Sequence, residues 1–301
     1  VRQYVTRQLP MADPVGWSQR HTAWFVDMSE TAAERLRSSE AKTERARLRE
    51  LQADYYQALL RSLDTGDRSS ALRLLASLAR FWSVRGPGVE ILALVDRALA
   101  LPGSTDPNVE TKLLRDAAYI ATVVADPVTV VDYNRRSVEV AARADDPAQP
   151  MLTLTVWAFF AAASGDAAET DRLLAEVAAH RAELDPGRQS VIVDHLSVLG
   201  DVLRIAGRPA AALEALGEGF RLAGDLGYMH GQAACCYGSG KVLIEVGRSR
   251  DALGILRTAV LRFLANDEPS SALAAATNYA VALVSLDRAQ EAAELFGAIE
   301  H

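Results

Sequence analysis

Apolar residues recur along this chain at three- and four-residue spacing, which gathers them on one face of a helix. Leu196, Leu199, Gly200 and Leu203 share a face before a break at Gly207, and Ala212 and Leu216 share one after it. Forty residues later the same places hold Cys236, Ser239, Gly240 and Leu243, then Ala252 and Leu256. Another forty on they hold Ala276, Tyr279, Ala280 and Leu283, then Ala292 and Phe296. The breaks fall at Arg85-Gly86, Ala125-Asp126, Gly165-Asp166, Gly207-Arg208, Gly247-Arg248 and Asp287-Arg288, about 40 residues apart. The repeating unit is thus a helix, a tight turn and a second helix, and it cannot bury its apolar face alone. The pattern predicts an all-α stack of helix pairs at roughly 71–101, 108–143, 148–183, 188–225, 229–265 and 269–300.

Helix starts are marked chemically. Pro107, Pro127, Pro147, Pro186, Pro209 and Pro269 fall at or near first helical turns, where the missing amide proton costs nothing. Small residues at Ala118, Ala158, Gly200, Gly240 and Ala280 predict close helix approach. Residues 1–45 differ from the rest. Val1, Tyr4, Val5 and Leu9 have helical spacing that Pro10, Pro14 and Gly16 break, and Trp17 to Leu36 predicts a helix with Trp24, Phe25 and Met28 as its apolar face. A charged helix is predicted from Lys42 to Leu63, ended by Gly66-Asp67.

With 301 residues, 50% hydrophobic and 6% aromatic, the chain has ample material for a continuous core and little for strands. Its net charge of -7 provides no global positive field for phosphates, so no direct nucleic-acid contact is expected. The longest apolar run, Met151 to Ala163, is too short to span a membrane. Cys235 and Cys236 are adjacent in a predicted helix, where a mutual disulfide would be strained. A reducing cytoplasm is the expected compartment.

The order of large and small residues resembles the tetratricopeptide repeat, most closely over 190–300 and more loosely upstream, where Tyr119 and Trp157 keep their places but Val130 and Thr170 replace the small residue after the turn. That resemblance implies a right-handed superhelix of antiparallel helix pairs. A longer resemblance runs through Val1-Arg-Gln-Tyr4, Arg7-Gln-Leu9, Arg20-His21-Thr-Ala-Trp24-Phe25, Leu51-Gln-Ala-Asp-Tyr55, Gly66-Asp-Arg-Ser-Ser-Ala71-Leu72-Arg-Leu74 and Phe81-Trp82-Ser-Val-Arg85-Gly86. These look like the stretch that follows the nucleotide-binding domain in LuxR-type and related actinobacterial STAND ATPases. The resemblance implies a winged-helix and linker remnant over 1–45, a repeat array over 46–301, and a parent chain extending past both ends. It also implies that ATP belongs to an absent upstream domain, with no cofactor expected in this chain.

Candidate chemistry within the chain has plainer explanations. Gly238-Ser-Gly240-Lys241 has Cys235 where a phosphate loop needs its first glycine, and no strand precedes it. His230, Cys235 and Cys236 offer three metal ligands, but adjacent helical residues point about 100° apart, so no metal site is expected. Asp194-His195 lacks a nucleophile, and no catalytic residue is expected. His21 and His180 are expected at the surface. The run Glu40 to Glu50, with Arg45, Arg47 and Arg49, predicts a solvated helix face.

The inner surface of the superhelix remains. In the tetratricopeptide register the first helix of each pair lines a groove, which places Arg115, Tyr119, Thr155, Phe159, Asp194, Ser197, Asp201, Arg204, Tyr237 and Lys241 there. Rings supply contact area and charges fix orientation, as a peptide or polar ligand requires. The expected function is a non-catalytic sensor or interaction arm of a transcriptional regulator. Its partners would be a protein or peptide, or a small-molecule effector, together with the upstream nucleotide-binding domain. A free-standing assembly scaffold is the alternative.

Overall fold

The computed structural model describes residues 14–83, 88–124 and 126–299, among which there are fifteen helices and no strand. Helix α1 spans Pro14–Arg35, α2 Ala41–Glu50 and α3 Gln52–Thr65. Six pairs follow: α4 Arg68–Ser83 with α5 Gly88–Leu99, α6 Pro107–Val123 with α7 Pro127–Ala141, α8 Ala148–Ala163 with α9 Ala167–Glu183, α10 Gln189–Ile205 with α11 Pro209–Asp225, α12 Met229–Glu245 with α13 Ser249–Ala265, and α14 Pro269–Val284 with α15 Ala289–Ile299. These match the predicted pairs to within a few residues.

Four of the turns inside the pairs share one construction. Gly165, Gly207 and Gly247 adopt left-handed φ of 79°, 72° and 76°, and Asp287 takes the same role at 61°. The next amide then returns to the last helical turn: Asp166 donates to the carbonyl of Ala161, Arg208 to Leu203, Arg248 to Leu243 and Arg288 to Leu283, at 2.8–3.0 Å. Asp106, Asp126 and Asp166 cap the helices that follow them by accepting from the amides of Asn108, Thr129 and Glu169. The break at Arg85-Gly86, and Ala125 of the break at Ala125-Asp126, lie outside the described residues.

The small positions are contact points. A Cβ on Gly200 would lie 2.4 Å from Leu216 Cγ, and one on Gly240 the same distance from Leu256 Cγ. Ala118, Ala158 and Ala280 are buried. One large apolar cluster runs from Phe25 to Val140 and joins α1 through α7, while a second covers Ala148 to Val202. Beyond these the core divides into smaller seams between neighbouring pairs, with Cys236 in one and Cys235 in another.

Four expectations need correction. The charged helix from Lys42 to Leu63 is two helices, broken at Leu51 (φ -97°, ψ 5°). The bend lets α3 sink Tyr55, Leu59 and Leu63 into the first core, where α2 adds Leu48, while Arg45 of α2 turns to a distant helix pair. Trp24 is 53% exposed, because the buried face of α1 is Thr22, Phe25, Val26, Ser29 and Ala32. Pro186 precedes α10 in a turn rather than starting it. The run Glu40–Glu50 is not merely solvated: Glu44 and Leu48 are buried, and the Arg45 guanidinium is held against Glu268. The segment 1–9, on which the winged-helix resemblance began, lies outside the described residues.

Candidate functional site

The first helices α6, α8, α10, α12 and α14 stand side by side, and a cavity of about 590 Å³ opens on their inner face. Arg115, Tyr119, Thr155, Phe159, Asp194, Ser197, Asp201 and Tyr237 all line it. Arg204 and Lys241 do not. Both are drawn onto Asp201, Arg204 Nε at 3.1 Å and Lys241 Nζ at 2.6 Å, and Lys241 also sits 4.6 Å above the Tyr237 ring. Arg204 continues to Glu245, so this corner is a charge network between neighbouring repeats. Lys241 thus has a carboxylate and a ring as partners, and the adjacent Gly238 and Gly240 pack beneath Leu216 and Leu256 within α12.

The cavity wall is aromatic and aliphatic between polar points. Phe159 and Phe160 meet edge to face at 5.7 Å, and Tyr119, Tyr237, Phe263, Leu152 and Val156 continue the surface. Tyr119 is 45% exposed, unusual for a large ring and consistent with an open contact surface. Arg115 Nη1 donates to Gln149 at 3.2 Å. Burial raises the Tyr237 hydroxyl pKa, reinforced by nearby Asp201, so it stays a neutral donor. Thr155 contributes wall but little chemistry: it is fully buried, and its hydroxyl is committed to the Met151 carbonyl at 2.6 Å and His195 Nδ1 at 3.0 Å.

Asp194 and His195 point about 100° apart on α10, into different surroundings. His195 is buried, and desolvation pushes its pKa down to about 4, which leaves it neutral. Asp194 faces the cavity, accepting from Tyr228 Oη and Arg37 Nε, each at 2.8 Å. This neighbour pair is therefore not a base and its orienting carboxylate. His230 Nδ1 lies 2.6 Å from Glu268. His21 contacts Arg61 and the Trp17 and Phe25 rings.

Repeat register missed part of the lining. Phe263 lies on a second helix, where the register assigned no groove position, and His230 and Ser271 lie at helix starts. Asp116 neighbours the predicted Arg115 and pairs with Lys112 at 2.9 Å. Arg37 comes from outside the array, and no local pattern marks it.

No protein-family model matches the sequence, and a search of curated proteins finds no match. Among solved structures, the crystal structure of a Rap protein complexed with competence and sporulation factor is similar, with a TM-score of 0.62 over 93% of this chain and 75% of that one, at 14% identity. The fold is a tetratricopeptide-like helical-repeat solenoid. At that identity the likeness is one of architecture, and the role of the cavity has to be argued from its own residues. Among the described residues no helix is long and apolar enough to cross a membrane.

Proposed function

We propose that this chain is a non-catalytic binding module whose cavity receives a short peptide or peptide-sized ligand. The observation that carries this is the cavity itself: about 590 Å³, within the range of ligand sites, walled by rings and rimmed by Asp194, Asp201 and Arg115. The Rap structure supports it by analogy of fold, since that protein is a similar solenoid caught with a bound factor. We further propose that the parent is a LuxR-like or STAND-type regulator. A ligand that prefers one packing of the array on the upstream ATPase would then shift an inactive-to-active equilibrium.

The test is calorimetric screening of a short-peptide library against the purified chain, followed by Tyr119→Ala and Phe159→Ala. Each aromatic truncation should weaken binding by about 30-fold, the size of one hot-spot side chain, while Val128→Ala on exposed α7 leaves it unchanged. Binding that ignores both substitutions would sink the cavity as the site. A coding sequence with no nucleotide-binding domain upstream of Val1 would remove the regulator half and favour the free-standing scaffold.

A further inference from the structure

Residues Leu36 to Glu50 connect α1 to α3 by an indirect route. While Leu36 and Leu48 hold to the amino-terminal core, the segment also crosses to the far part of the array, which it meets through ion pairs and a close backbone approach. Arg37 Nε reaches Asp194 across 157 residues at 2.8 Å. Arg45 Nη2 reaches Glu268 across 223 residues at 2.6 Å, with only 12% and 5% of the two side chains exposed. Arg49 lies 3.5 Å from Asp267. Ser39 approaches the turn after α11 so closely that a Cβ on Gly227, itself at φ 64°, would lie 2.8 Å from Ser39 Cβ.

We propose that this segment is a strap that closes the mouth of the cavity and releases to admit ligand. The division of its contacts supports release. Leu48 anchors α2 in the apolar cluster of the amino-terminal half, a union that water opposes breaking. The carboxy-terminal half is held instead through ion pairs, whose groups are readily hydrated when parted, so the two sides of the strap differ in kind. The receiving side is built for a cation. Burial alone would raise the Glu268 carboxyl pKa, but His230, Arg45 and the Asn266 amide together hold it below its usual value, so it remains an anion. Arg37 lines the cavity itself, and Arg45 the recess of about 110 Å³ beside it, so the strap forms part of the roof. The bends at Leu36–Glu40 and Leu51 flank α2 and give it somewhere to turn.

The proposal rests on the cavity being a ligand site, but its test uses no ligand, so either can fail alone. Hydrogen exchange is followed in the wild-type chain and in Arg37→Gln/Arg45→Met, together with alkylation of a thiol introduced by Ser271→Cys beneath the strap. Native Cys235 and Cys236 give little background, being buried with thiol pKa values pushed up to about 12 and about 11. Exchange over 36–50 and alkylation at 271 should both accelerate by about tenfold or more in the double variant, the scale of one lost charge-assisted bond. Exchange in α6 should stay unchanged, and Arg37→Gln/Arg45→Lys should restore most of the protection. If the double variant does not fold, the single variants carry the comparison. Unchanged rates in a folded variant, or fast exchange over 36–50 already in the wild type, would overturn the strap.

Discussion

Thr155 and His195 lie on neighbouring first helices, α8 and α10, and hydrogen-bond to each other in the core. The consequence is a pH dependence with a definite sign. His195 has its pKa depressed from 6.5 to about 4 by burial, so as pH falls the unfolded chain takes up a proton that the folded chain refuses. The stability contribution is complete above about 6.5 and is lost between there and about 4. Denaturant titrations should show the wild type losing about 2 kcal/mol more than His195→Gln between pH 7 and pH 5. Equal losses would show that His195 is protonated in the fold. The neighbouring Asp194, one residue away and about 100° around the helix, belongs to the cavity instead. Sequence named both residues but not this division, because it depends on which helix stands opposite.

At the scale of the element, contact of Gly240 with Leu256 sets the spacing between α12 and α13. Adding one methyl places Cβ 2.4 Å from Leu256 Cγ, far inside contact distance, and the neighbour is a fully buried branched side chain rather than a flexible tip. Gly240→Ala should therefore cost about 1–3 kcal/mol in chemical denaturation by overpacking. Leu256→Ala should cost about 2–5 kcal/mol through its cavity, and the double variant less than the sum, because each change relieves the other. Strict additivity would show that the two helices shift apart freely. This layer of the fold was legible in the sequence, since glycine turns, proline starts and small residues every forty positions act locally and repeat. The break at Leu51 was not. It arises because Tyr55 and Leu59 are drawn into one core while Arg45 is drawn to Glu268, a conflict between distant partners that leaves no local mark. The cavity divides in the same way: register found Tyr119, Phe159, Asp194 and Tyr237, whereas Arg37 arrives through tertiary structure alone.

Across the whole molecule, the core is graded. The cluster from Phe25 to Val140 buries one face of α6 completely, with Leu113, Leu114, Ala117, Ile120 and Ala121 all at 0% exposure. The last seam, between α14 and α15, has Ala280, Leu283 and Ala292 as its fully buried members, and nearby Leu273, Val281 and Val284 remain exposed. In a solenoid each repeat is stabilised by its neighbours, so local opening should become easier toward the end with the smaller seam. Amide exchange measured by mass spectrometry should therefore be slowest in α6 and faster in α15 by roughly two orders of magnitude or more. The start of α14 should depart from the gradient, because Glu268 ties it to Arg45 and His230. Its first turn should exchange more slowly than its last, and Arg45→Met should remove that difference while leaving α15 as it was. Uniform protection from α6 to α15 would mean that the solenoid opens as a single unit, with the seams too strongly coupled for their size to matter.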